Sequence, residues 1–176
     1  MKRIAISLMI FVAVPAMAQT PAANVGVVSA RNVWNGFTQN IIKSAEQMPE
    51  SDYGYKPVAT VRSFGELIGH VAGAQYMFCA AALGDPPRGE ADIEKTVKTK
   101  AGLVDAMKAS TEYCKKAYEQ TDAASAAAIK MFGQETTRMY ALSLNAAHNG
   151  EHYGNLVTYL RMKGMVPPSS APPAGQ

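Results

Sequence analysis

Histidine is scarce in this chain, with three among 176 residues. Two of them, His148 and His152, stand four positions apart in a segment with helical periodicity. Side chains at i and i+4 stack on one helix face, the arrangement that a metal chelate requires. Leu144, His148, His152, Leu156 and Leu160 form a single i+4 row, apolar on either side of the pair. Two neutral imidazoles facing a core need partners, because a buried polar group without a hydrogen bond costs roughly 1–3 kcal/mol. A divalent ion would supply one. His70 follows Leu67 by three and precedes Ala74 by four, at the edge of the inward face of another helical segment. Three imidazoles from two helices would leave a coordination position for water or substrate, as catalytic zinc sites do. The plainer reading is a half-exposed helical pair and a hydrogen-bonded core His70, and spacing alone does not separate the two.

Other chemistries find less support. His148-Asn149-Gly150-Glu151-His152 matches H-x-x-E-H, the inverted zinc-peptidase pattern. That pattern needs a carboxylate downstream, and no Asp or Glu follows His152. The Glu-x-x-His pairs of di-iron bundles and the G-x-S-x-G elbow of hydrolases are both absent. Glu151 directly precedes His152 and follows His148 by three residues, but its direction differs from that of His152 by about 100°. It is a candidate base, and a solvated surface Glu is the alternative. Asn149, Tyr153 and Asn155 are candidate donors behind the ligands. Tyr53 and Tyr55 are candidates for the mouth of the site or simply pack on helix ends.

The elements that must position these groups are helical. A first helix carries Val33, Trp34, Phe37, Ile41, Ala45 and Met48 on one face and ends at Pro49. A crossover over residues 49–62 leads to Ser63-Phe64-Gly65-Glu66, a capping box opening a second helix that ends at Gly84. A third helix runs from about Thr99 to Gln120, with Leu103, Met107, Ser110, Cys114 and Ala117 inward. Residues 121–134 are a partly helical connection, and a fourth helix runs from near Glu135 to Gly164. The fold class is therefore all-α, a four-helix bundle. The connections over 49–62 and 121–134 are long for hairpins, so at least one is expected to cross the bundle.

The N-terminus reads as an export signal. Lys2 and Arg3 precede the apolar run Ile4 to Val14, and Ala16-Met17-Ala18 offers small residues to a signal peptidase. Cleavage after Ala18 leaves one domain over 19–166 and a tail over 167–176, rich in Pro, Ser and Ala, that is expected to be disordered. The mature chain would be periplasmic, with no membrane anchor. Losing Lys2 and Arg3 lowers the formal charge from +3 to +1, which argues against a nucleic-acid surface. Cys79 and Cys114 form no C-x-x-C motif. In an oxidising compartment they could pair, or they could be two buried thiols.

Asn145 to Leu156 with Tyr159-Leu160-Arg161 and Gly164 to Pro168, together with Lys56-Pro57 and Arg62 to His70, resemble the DinB-like family of metal-binding bundles. The resemblance implies that His70, His148 and His152 are the metal ligands, and that the second and third helices run parallel through crossovers. Parallel helices would bring Cys79 and Cys114 to a similar height. The family includes thiol-dependent S-transferases that use bacillithiol, mycothiol or glutathione. A metal-dependent transferase or hydrolase acting on a small molecule, with a thiol among the candidates, is thus expected. A non-catalytic metal-binding or stress-related bundle is the alternative, and a homodimer is also implied. Zinc leads as the ion, with nickel next and iron or manganese after.

Overall fold

The computed structural model describes residues 24–172. The expected signal segment over 1–18 lies outside them. Four long helices form the bundle: α1 (Val25–Gln47), α2 (Phe64–Leu83), α4 (Lys100–Ala117) and α6 (Arg138–Met162), with short helices α3 (Asp92–Thr96) and α5 (Asp122–Ser125) in the connections. No helix among the described residues is long and apolar enough to cross a membrane.

Side-chain contacts define the directions. Gly65 lies against Leu103, Gln75 bonds Ser110, and Cys79 joins Cys114, so α2 and α4 run parallel. Gly26 lies against Met139 and Gly150 against Phe37, so α1 and α6 are parallel too. Arg138 meets Gly84 and His152 meets His70, which makes α2 antiparallel to α6. The connection that crosses the bundle is therefore residues 84–99, between the parallel pair. It must return about 30 Å at 1.5 Å per residue of helix. The connections over 49–62 and 121–134 instead join antiparallel helices that stand diagonally across the bundle, α1 with α2 and α4 with α6, and so pass over its ends rather than along its length, contrary to the sequence expectation.

Local chemistry explains the boundaries. The Ser63 hydroxyl accepts from the Glu66 amide, and the Glu66 carboxylate accepts from the Ser63 amide. That backbone bond and Lys56 hold the Glu66 carboxyl at about 2. Gly84 closes α2 in the left-handed conformation, with φ 79°. The N-terminus of α1 takes its cap from far away: Asp122 accepts from the amides of Gly26 and Val27. Lys100 donates to the carbonyls of Glu46 and Met48 at the other end of α1. Residues 128–137, expected as loop and helix start, are a hairpin of β1 (Ala128–Met131) and β2 (Gln134–Thr137). Phe132 and Gly133, both at positive φ, make its two-residue turn. Thr137 then caps α6.

The core matches the inward positions expected for α4, all of them buried. On α1, Trp34, Ile41, Ala45 and Met48 are buried, but Val33 is 51% exposed. The inward stripe runs through Val27, Trp34, Thr38, Ile41 and Ala45 instead, which leaves Val33 turned aside. The tail does not begin disordered at Pro167. Residues Pro168–Ser170 form a 3-10 turn, because the Tyr153 hydroxyl donates to Ser169 and accepts from its amide.

Polar groups also tie the bundle together. Trp34 donates to Gln75, Gln75 donates to Ser110, and Asn149 donates to Thr38 and Gln75. One buried network thus touches all four long helices. Beside it, Cys79 and Cys114 form a disulfide closing a separation of 35 residues. Replacing both cysteines by alanine is expected to lower stability by about 2–4 kcal/mol, through lost constraint on the unfolded chain. Urea unfolding of the oxidised protein beside that variant measures it.

Candidate metal centre

His70 faces inward from α2, and His148 and His152 face it from α6. Their Nε2 atoms form a near-equilateral triangle: 3.1 Å from His70 to His152, 3.1 Å from His148 to His70, and 3.0 Å from His152 to His148. His70 and His152 are buried, and His148 is nearly so. Among the described residues, these three make the one group of mutually close donor atoms able to hold a metal ion. Two nitrogens bound at about 2.0–2.1 Å to one ion stand roughly 2.9–3.3 Å apart for the usual bond angles. The observed triangle has that size.

The donors also have the right protonation state. Burial, the Arg62 charge and His152 hold His70 down at about 4. Burial, the other two imidazoles and Arg62 hold His148 down at about 3. Burial lowers His152 as well, partly opposed by Glu151. All three are thus neutral near pH 7 and present lone pairs. Three neutral imidazoles cannot satisfy three converging nitrogens with N–H bonds if the Nδ1 tautomer is populated, and an ion can.

Groups behind the ligands differ from those expected. Asn155 places its amide 3.3 Å from Nδ1 of His152. The contacting atom is Nδ2; with the amide turned over, its carbonyl would accept from the Nδ1–H tautomer that frees Nε2 to ligate. Asn149 and Tyr153 are committed elsewhere, to Thr38 and Ser169. The Tyr53 hydroxyl donates to the Ala45 carbonyl, and Tyr55 packs on Tyr159, so both serve helix ends rather than the site mouth. Phe78 sets its edge against His148.

The sequence reading missed the crossing connection as part of the site. Glu94 accepts from Arg62 at 3.0 Å and lies 3.7 Å from Nδ1 of His70; Glu90 lies 3.4 Å from the same nitrogen. The connection can approach because α2 carries Gly69 and Gly73 beneath it. A Cβ on Gly73 would overlap the Glu90 carbonyl, and one on Gly69 would press on the Glu94 backbone. Two glycines four apart beside His70 were the available signal.

On the His152 side the site borders a cavity of about 690 Å³, lined by Lys56, Arg62, Glu94, Glu151, Asn155 and Tyr159 among others. Glu151 is exposed and stands on this wall, outside the ligand cluster. The Tyr159 hydroxyl donates to the Arg62 carbonyl and fixes the backbone that carries the guanidinium.

The depressed imidazole values set a pH dependence. Unfolded, each His takes a proton near 6.5; folded, His70 and His148 resist until about 4 and about 3. Between those limits the unfolded chain binds more protons, so stability falls as pH falls. The metal-free protein should keep the full contribution above about 6.5 and lose on the order of a few kcal/mol as the pH drops through that window. Urea midpoints from pH 7.5 to 4 test this, and a variant lacking all three His should show a flatter profile. Metal affinity should likewise hold somewhat below pH 6.5, because His70 and His148 stay unprotonated there.

Residues 36–156 match the family model of the DinB superfamily. The chain is similar to the crystal structure of a DinB-like protein from Bacillus cereus, at 15% identity and TM-score 0.70, over 80% of this chain and 95% of that one. It is similar to a DinB-like protein from Bacillus subtilis at 26% identity and TM-score 0.63, over 78% and 93%. It also shares its fold with a mycothiol-dependent maleylpyruvate isomerase, at 13% identity and TM-score 0.59, over 77% and 66%. No curated protein matches. With the family model spanning most of the chain and the bundle shared, the chain belongs to the DinB superfamily.

Proposed function

We propose that this protein is an exported, metal-dependent enzyme that uses a small-molecule thiol in group transfer. The observation that carries the reading is the triangle of neutral imidazoles with a cavity of about 690 Å³ on its His152 side. A purely structural ion would want all its positions filled by protein, whereas a donor triad beside a cavity leaves room for a ligand. When bound, a divalent ion there would keep a thiol in its nucleophilic thiolate form. Zinc is the first choice, with nickel next and iron or manganese after.

The chain's own residues divide the remaining work. His70, His148 and His152 hold the ion. Asn155 steadies the His152 ring. Arg62 bonds Glu94 through Nε, and its guanidinium lines the cavity as a docking group for an anionic part of the substrate. Glu151, on the wall beside His152, is placed to receive or return a proton as the thiol enters. The mycothiol dependence named for the similar isomerase supports a thiol as one reactant. The Cys79–Cys114 disulfide supports a location in an oxidising compartment, the periplasm, after cleavage at Ala18.

A non-catalytic metal-binding or stress-related bundle would need no cavity beside the ligands. The two readings separate in a transfer assay. Metal-loaded protein, offered glutathione, cysteine, bacillithiol or mycothiol with an electrophilic acceptor, should consume thiol at a rate that chelation and His152→Ala each abolish. Glu151→Gln should slow it about 10²–10⁴-fold if Glu151 moves the proton. No thiol consumption with any pair would favour the binding role. Export is checked separately: the intact mass of protein from the periplasmic fraction should correspond to a chain beginning at Gln19.

A further inference from the structure

His148 and His152 stand four residues apart on one helix, so each ring limits where the other can turn. His70 comes alone from α2 and has no such neighbour. Its Nε2 is committed to the triangle, 3.1 Å from each of the other two. An imidazole that ligates through Nε2 carries its proton on Nδ1, and whatever faces that nitrogen sets the tautomer and the direction of the ring. The three rings differ in what they find there. Nδ1 of His148 is buried with no hydrogen-bond partner among the described residues. Nδ1 of His152 faces the Asn155 amide. Nδ1 of His70 faces two carboxylates, Glu90 Oε1 at 3.4 Å and Glu94 Oε2 at 3.7 Å. These are electrostatic contacts rather than formed hydrogen bonds. Negative oxygens at that range still favour a proton on the near ring nitrogen over one on the far nitrogen. With exposures of 36% and 20%, the two carboxylates are sheltered enough for that attraction to escape full screening.

Both carboxylates are held in place by the crossing connection. Arg88 lies over the rings of Tyr76 and Tyr113, 4.7 and 4.6 Å from their centres, and Asp85 accepts from the Tyr113 hydroxyl. These contacts tie the start of the connection to α2 and α4. Further along, the Glu90 carbonyl fills the space where a Cβ on Gly73 would stand, and the Glu94 backbone sits against Gly69. Arg62 donates to Glu94 Oε1, which leaves Oε2 on the His70 side. The connection is therefore seated on α2 both before and after His70.

We propose that Glu90 and Glu94 are positioning residues that hold His70 in its Nδ1–H tautomer and so keep the Nε2 lone pair aimed at the ion. The inference rests on the three-His reading.

The test is magnetic resonance of the untagged protein labelled with ¹⁵N in histidine, where only three imidazoles need assignment. Long-range ¹H–¹⁵N correlations tell which ring nitrogen carries the proton. In metal-free wild type near neutral pH, His70 should be protonated on Nδ1. In Glu90→Ala/Glu94→Ala it should shift towards the Nε2–H form, and Zn²⁺ affinity from chelator competition should fall about 10–100-fold. Glu90→Gln/Glu94→Gln keeps an oxygen acceptor without the charge and should fall between the two in both readouts. Circular dichroism should show the same helix content in all three proteins, since neither residue lies on a bundle helix. A His70 that stays Nδ1–H in the alanine variant would overturn the proposal even if affinity fell, because the loss would then be general electrostatics. Protonation of wild-type His70 on Nε2 would overturn it outright. A wild type that takes up no Zn²⁺ would instead remove the three-His reading, and with it the aim at an ion. The metal-free spectra report the carboxylates' hold on the tautomer separately, so the two failures are distinguishable.

Discussion

Three imidazole nitrogens held 3.0–3.1 Å apart in a buried place are an unfavourable arrangement by themselves. Lone pairs that converge without a proton or an ion between them repel, and burial prevents water from separating them. The bundle must hold His70 against His148 and His152 regardless. Much of the rest of the structure follows from that constraint. The antiparallel packing of α2 on α6 sets the two helices' histidines at one level. The network through Gln75 and Asn149 ties the same two helices to α1 and α4 a short distance away. The Cys79–Cys114 bridge fixes α2 to α4 further along. A rigid frame of this kind stores the ligand geometry before any ion arrives, which lowers the reorganisation that binding requires.

The parallel pair α2 and α4 has a second consequence. Parallel neighbours need a return connection, and here that segment runs over the face of α2 that carries His70. Its close seating depends on Gly69 and Gly73, which have no side chain in the way. Topology thus delivers acidic groups to the back of His70, and Arg62, tied by Tyr159, delivers a cation to the same neighbourhood. The cation helps to keep the imidazoles unprotonated. An anion on one side and an open cavity on the other make the centre asymmetric.

Much of this was legible in the sequence because it rests on local rules. The capping box at Ser63, the left-handed Gly84 and the i+4 row through His148 and His152 are each encoded within a few residues. The pairing of His70 with the other two histidines was not, since periodicity places a side chain on a face without naming the facing helix. The resemblance supplied that step. What remained hidden was long-range or backbone-driven. The Asp122 cap on α1 joins residues 95 and 96 positions apart. The β1–β2 hairpin depends on a positive φ at Phe132, a residue that seldom adopts it. The placement of Glu90 and Glu94 beside His70 depends on which connection crosses the bundle, and helix spacing does not reveal that. Val33 was misplaced because Trp34 beside it, the larger group, claims the interior and donates to Gln75.

The central claim is that this buried triangle exists to hold a metal ion. Elemental analysis of the untagged protein purified from the exported fraction, beside a His148→Ala/His152→Ala variant, tests it most directly. The account predicts roughly one divalent ion per chain in the native protein and none in the variant. A native protein that holds no ion, and takes up none when zinc or nickel is supplied, would contradict it.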